Sequence, residues 1–232
     1  MSTATLPRPT PARSLFSSVI VKKAVMAVTG AALFLFVTGH LLGNLQVFLG
    51  PDAINDYAAM LKGNREILWG VRIGLLVFVT AHIIVTIQLA RINGKARPSR
   101  YAKKDNSHSS GASRGMYLTG PMIAAFIVYH LLHLTVGAAH PQFSETDVYS
   151  NMVTGFRVWP VSLVYIIAMG LLCMHLRHGV QSMFQSLGFN HPRHTPRIQA
   201  AANAISILYF AGFASIPLAA LTGILRPVVE RL

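Results

Sequence analysis

Uncharged, largely apolar runs recur along the chain at residues 24–43, 73–90, 116–139, 158–174 and 198–225. Each reaches or approaches the roughly 18 consecutive apolar residues that read as a membrane-crossing helix. Charged residues are mostly confined to the segments between the runs. The pattern predicts an all-α fold, an integral membrane bundle of five transmembrane helices. One membrane domain then fills residues 21–232, behind a mobile N-terminal segment, 1–20, with three prolines in its first 13 residues. Residues 98–115, rich in Ser and Lys, read as a second mobile surface segment.

Composition agrees with this reading. Of the 232 residues, 53% are hydrophobic and 12% are charged, with a mean hydropathy of +0.49. A soluble domain carries about twice that charged fraction. The net charge of +13 would suit nucleic acid if it were patched, but its placement points to membrane topology. Alternate inter-run segments on one side hold 14 of the 20 basic residues, seven of them between Arg91 and Arg114. Six of the seven acids fall on the other side: Asp52, Asp56, Glu66, Glu145, Asp147 and Glu230. The positive-inside rule therefore puts the N-terminus in the cytoplasm and the C-terminus outside. The basic segment 91–114 would also suit docking of a cytoplasmic partner. No cleavable signal peptide is legible, since the first run is too long and lacks a small-residue cleavage site. The single Cys173 supports neither a disulfide framework nor an iron–sulfur cluster. No GxGxxG, P-loop or nucleophile elbow occurs, and GHLLGN lacks both the spacing and the preceding strand of a phosphate loop.

Ten histidines are present. His108, His140, His191 and His194 fall between runs and read as solvated. The other six lie in the predicted helices: His40 in the first, His82 in the second, His130 and His133 in the third, His175 and His178 in the fourth. Ionisable groups inside a bilayer are costly and mark function by default; for any one of them the structural alternative is a hydrogen bond to a neighbouring helix. Depth separates them. From the nearest cytoplasmic-side polar residue, His40 stands roughly 25 Å up and His130 roughly 24 Å, whereas His82 stands about 14 Å and His175 about 15 Å up. Two imidazoles at one depth on different helices are what a bis-histidine haem requires, and a six-coordinate iron of this kind carries electrons rather than binding substrate. Gly39, Gly43 and Gly179 would let a flat macrocycle, or equally another helix, approach the backbone.

These residues resemble those of the type B succinate dehydrogenase and fumarate reductase anchors, five-helix cytochrome b subunits that hold two haems. The similarity covers about residues 20–225. Thr119-Gly120 followed by nine residues and His130 matches the family's third helix and makes His133 the spare. Gly179 and Gly188, four and thirteen residues after His175, match its fourth helix and set His178 aside. His40 in GHLLGN and His82 in TAHIIVTIQLA match in position.

The resemblance implies two haem b groups, the outer one held by His40 and His130 and the inner one by His82 and His175. It also implies a bacterial cytoplasmic (inner) membrane and a place in respiratory complex II. A flavoprotein subunit and an iron–sulfur subunit would sit on the cytoplasmic side, and a menaquinone or other quinone would react near the outer haem. On that side Asn44, Gln46, Glu66, Trp69 and His133 are the candidate quinone contacts. Lys23, Arg72, Arg157 and Arg177 are candidate partners for haem propionates. Some members carry a carboxylate two residues before the fourth-helix ligand; here that position is Cys173, and the five apolar cores hold no Asp or Glu, against a carboxylate-based proton route. Succinate chemistry belongs to the partners, because no flavin or cluster motif is present. Two other readings compete. One is the quinone-facing cytochrome b of a hydrogenase or formate dehydrogenase. The other is a transporter with a histidine relay, which would call for helices broken near mid-membrane and acidic partners for the histidines. Pro121 and Pro160 read as helix-start prolines and Pro217 as an interior one. A haem-free anchor whose histidines only brace helices is the remaining case.

Overall fold

The computed structural model describes residues 18–95, 111–189 and 191–228. Most of the N-terminal segment and most of the 98–115 segment, with His108, lie outside the described residues. Among those described, every regular element is helical: α1 (Val19–Asn44), a 3-10 turn (Leu45–Leu49), α2 (Pro51–Gly63), α3 (Arg65–Lys95), α4 (Gly111–Leu134), α5 (Val148–Arg157), α6 (Trp159–Ser186) and α7 (Thr195–Leu221).

Five of these, α1, α3, α4, α6 and α7, are long and apolar enough to cross a membrane, as the pattern predicts. A backbone in hydrocarbon must satisfy its own polar groups, which a helix does along its length. The side chains then face outward without penalty: Leu35, Ile73, Leu76, Val77, Leu118, Val128, Ile207 and Leu208 are each more than half exposed. The helices outrun the apolar runs. At 31 residues, α3 is about 46 Å long, so its polar ends project beyond a hydrocarbon core of about 30 Å.

The spans pack as α1 on α3, α4 on α6, and α6 on α7, with α1 also touching α6. Between α1 and α7, Tyr209 stacks on Phe34 with ring centres 5.7 Å apart and hydrogen-bonds the Thr38 hydroxyl. Leu41, Leu176 and Tyr209 form the apolar centre there. Proline placement differs from expectation at one point. Pro160 opens α6, but α4 starts early enough that Pro121 lies inside it, where it withholds one helical N–H.

The pole away from the chain's N-terminus is capped by α2 and α5, which no apolar run announced. Gly50, at φ 115°, makes the turn that only glycine adopts freely. Pro51 and Asp52 then open α2 and Lys62 closes it, an order that suits the helix dipole. At the start of α5 the Asp147 carboxylate accepts the Ser150 N–H at 2.9 Å, which is an N-cap. Asn55 of α2 clasps the same end: its amide donates to Asp147 at 3.1 Å and its carbonyl accepts the Tyr149 N–H at 3.0 Å. Burial alone would raise the Asp147 pKa, but the Ser150 and Asn55 hydrogen bonds hold the carboxyl below its ordinary value. Beneath the cap, Val47, Ile54, Tyr149, Met152, Val153, Phe156, Tyr165 and Ile216 share one buried core with residues of the α7 end.

Candidate functional site

An imidazole on an apolar helix must find a partner or leave a buried polar group unpaid. Four of the six intramembrane histidines meet in two pairs. His82 on α3 faces His175 on α6, ring centres 6.4 Å apart and planes at 60°. His40 on α1 faces His130 on α4, ring centres 5.8 Å apart and planes at 87°. The members of each pair come from different packed helix couples, one from α1–α3 and the other from α4–α6, so both pairs bridge the same seam. The pairs lie at different heights. Gly30 of α1 sits beside His82, where an added Cβ would be 3.4 Å from Cε1. His40 is ten residues further along α1, about 15 Å of rise.

One histidine of each pair is tied through Nδ1. His82 Nδ1 lies 3.1 Å from the Thr29 hydroxyl of α1. His130 Nδ1 lies 3.3 Å from the Tyr165 hydroxyl of α6. His175 Nδ1 is buried without a partner. Two imidazoles bound to opposite sides of one metal, at about 2 Å per bond, hold their ring centres about 6 Å apart, as both pairs do. Beside His175, a Cβ on Gly179 would touch nothing, whereas Gly43 is filled by the Tyr57 ring of α2 and serves packing. No group of three or more His, Cys, Asp or Glu side chains gathers as a metal site among the described residues. Two facing imidazoles would instead serve as a pair of nitrogen ligands for a haem iron. The residues fit that group.

His133 and His178 stand apart from the pairs. His133 is fully buried, stacked on Tyr129 with ring centres 5.6 Å apart, and its Nδ1 is 2.9 Å from the Tyr165 hydroxyl. Its Nε2 has no partner. His140, expected to be solvated, is also buried. The segment after α4 folds back under the cap, so His140 Nε2 donates to the Asn151 carbonyl at 2.9 Å and Nδ1 accepts the Gln142 N–H at 3.1 Å. His191 and His194 are exposed, as expected.

The five quinone candidates sit in different surroundings. Asn44 donates to the His40 carbonyl of its own helix at 2.7 Å. Gln46 is half-buried and Glu66 exposed. Trp69 is half exposed with the Arg72 guanidinium 5.3 Å over its ring. His133 is sealed from solvent and lipid. No hydrogen bond or ring contact joins any two of the five among the described residues. Sequence reasoning missed Thr29, Tyr165, Asn151 and the burial of His140. Thr29 lies 53 residues from His82 and Tyr165 lies 35 from His130, and no periodicity relates residues on different helices.

A five-span helical membrane protein with histidine pairs at two depths is thus the class that fold and site define. The chain belongs to the succinate dehydrogenase/fumarate reductase transmembrane subunit family, whose model matches residues 93–214. That match runs from the end of α3 into α7 and takes in His130, His133, His175 and His178, but not His40 or His82. No curated protein matches the chain, and no solved structure matches it.

Proposed function

We propose that this transmembrane subunit is a dihaem cytochrome b anchor of a succinate:quinone oxidoreductase in a bacterial cytoplasmic membrane. The observation that carries the reading is the meeting of His82 with His175 and of His40 with His130 across one seam. When bound, the two haems b supply one-electron transfer between the membrane faces. The chain's part is to present a neutral imidazole on each side of each seam position, to space the tiers about 15 Å apart along the helices, and to keep water out. The α2–α5 cap closes the outer pole over His133 and Tyr165. With the basic segments inside, the His82–His175 tier lies nearer the cytoplasmic flavoprotein and iron–sulfur subunits. Menaquinone then reacts at the capped pole, where Glu66 and Trp69 at the start of α3 are open and His133 is not.

The test is the haem content of the purified complex, by pigment extraction and absorption. Two haems b per chain are expected. His82→Ala and His175→Ala should each remove the same single haem, and His40→Ala and His130→Ala the other. His133→Ala and His178→Ala should leave both. A haem-free wild-type complex would leave a bare anchor, and both haems intact in the four ligand variants would reject the ligand assignment.

A further inference from the structure

We propose that Thr29 and Tyr165 are positioning residues, one for each haem, that fix the tautomer and bearing of His82 and His130 and so set the two potentials separately. The inference rests on the dihaem reading above. A metal-bound histidine usually donates its second ring N–H to an acceptor, which holds the ring and raises its basicity.

Thr29 is placed to be such an acceptor, beside the Met26 backbone carbonyl, which also bonds the His82 ring. Its hydroxyl lies 2.8 Å from the Val25 carbonyl and 3.2 Å from that of Met26, so its one proton is committed to its own helix. Toward His82 Nδ1 it offers a lone pair. His82 therefore carries its proton on Nδ1 and keeps Nε2 bare. The hydroxyl is buried and sits on α1, so the packing of α1 on α3 sets the ring of His82.

Tyr165 does the same from α6 for His130 on α4. Its oxygen faces two Nδ1 atoms, those of His130 and His133, with a single proton to share. With His130 bound through Nε2, His130 Nδ1–H donates to the phenol and the phenol donates to His133 Nδ1. His133 is thereby a member of the outer tier's support rather than a spare ligand. The tiers differ in this respect: a hydroxyl closed off by its own helix inside, and a phenol linked onward to a second imidazole outside. In both, the opposite ligand lacks such a tie. His175 Nδ1 is without a partner, and no hydrogen bond reaches the His40 ring among the described residues.

An acceptor on Nδ1 makes the imidazole a stronger donor to iron and favours the oxidised state. Removing it should move the potential of that haem alone in the positive direction. The experiment is a potentiometric titration of the intact membrane complex, followed by absorption and by the g anisotropy of each low-spin ferric haem. Thr29→Val should shift the inner haem and spare the outer one. Tyr165→Phe should do the converse, and Thr29→Ser should restore wild-type values. Loss of the inner haem alone in Thr29→Val, rescued by Thr29→Ser, counts equally in favour. Unchanged potentials and g values in both substitutions, shifts of both haems together, or failure of Thr29→Ser to rescue would overturn the inference. If Tyr165→Phe does not assemble, the Thr29 pair decides. A wild-type complex without haem would instead reject the underlying reading, so the two failures are distinct.

Discussion

At Gly155, a Cβ would lie 2.9 Å from Cε1 of His133 and 2.9 Å from Nε2 of His140. Both rings are buried and hydrogen-bonded, so neither can step aside as the end of a flexible chain could. Gly155→Ala is therefore an overpacking change, expected to cost about 1–3 kcal/mol. A lowered melting temperature in detergent would show this. Unchanged stability would mean that the rings beneath the cap are loosely held. The same contacts explain why two histidines with similar surroundings in the sequence differ so much in space. His140 sits in a polar segment and yet is buried, because its Nε2–H and Nδ1 each meet a backbone partner. His191 Nδ1 also accepts a backbone N–H, that of Arg193 at 3.2 Å, yet its ring remains exposed, so it is the fold-back onto the Asn151 carbonyl that encloses His140.

Among the elements, the long helices and the short ones have different origins. The spans follow from apolar length, which needs no neighbour to be read. In the sequence α2 and α5 show only end signals: Pro51 and Asp52 at one start, Asp147 at the other. Such residues also open turns, and the short segments become helices against the core of Val47, Ile54, Tyr149 and Phe156. The Asp147 cap can be tested alone. Asp147→Ala should cost about 1 kcal/mol of stability at neutral pH. A carboxyl held below its ordinary pKa contributes fully above that value and less as pH falls through the lowered one. The gap between wild type and Asp147→Ala should therefore persist down to the ordinary value of 3.8 and narrow at more acid pH. Thermal melts across that range would show it, and a gap independent of pH would remove the carboxylate from the account.

For the whole molecule, the two poles are chemically unlike. One carries the helix ends with Lys22, Lys95, Arg193 and Arg197; the other carries the α2–α5 cap with Asp52, Asp56 and Glu145. Asp56 and Arg193 are both exposed. Asp56→Cys and Arg193→Cys should react with a membrane-impermeant thiol reagent from opposite faces, Asp56→Cys from outside intact cells and Arg193→Cys only in inverted vesicles. Reaction of both from one face would break the five-span topology. Between the poles, the histidine pairs bridge a seam that no single helix defines.

How much of this was legible follows from what each feature depends on. Span number, helical class, the six intramembrane histidines and the two depths of four of them depend on distance along one helix, and a constant rise of 1.5 Å per residue makes sequence separation a ruler. The amino-acid sequence determined them. Which rings face each other, Thr29 behind His82, Tyr165 shared by His130 and His133, the folding back of His140 and the burial of His133 depend on how helices rotate and pack. Those contacts join residues tens of positions apart, and rotation about a helix axis leaves hydropathy unchanged. Only the tertiary structure decided them.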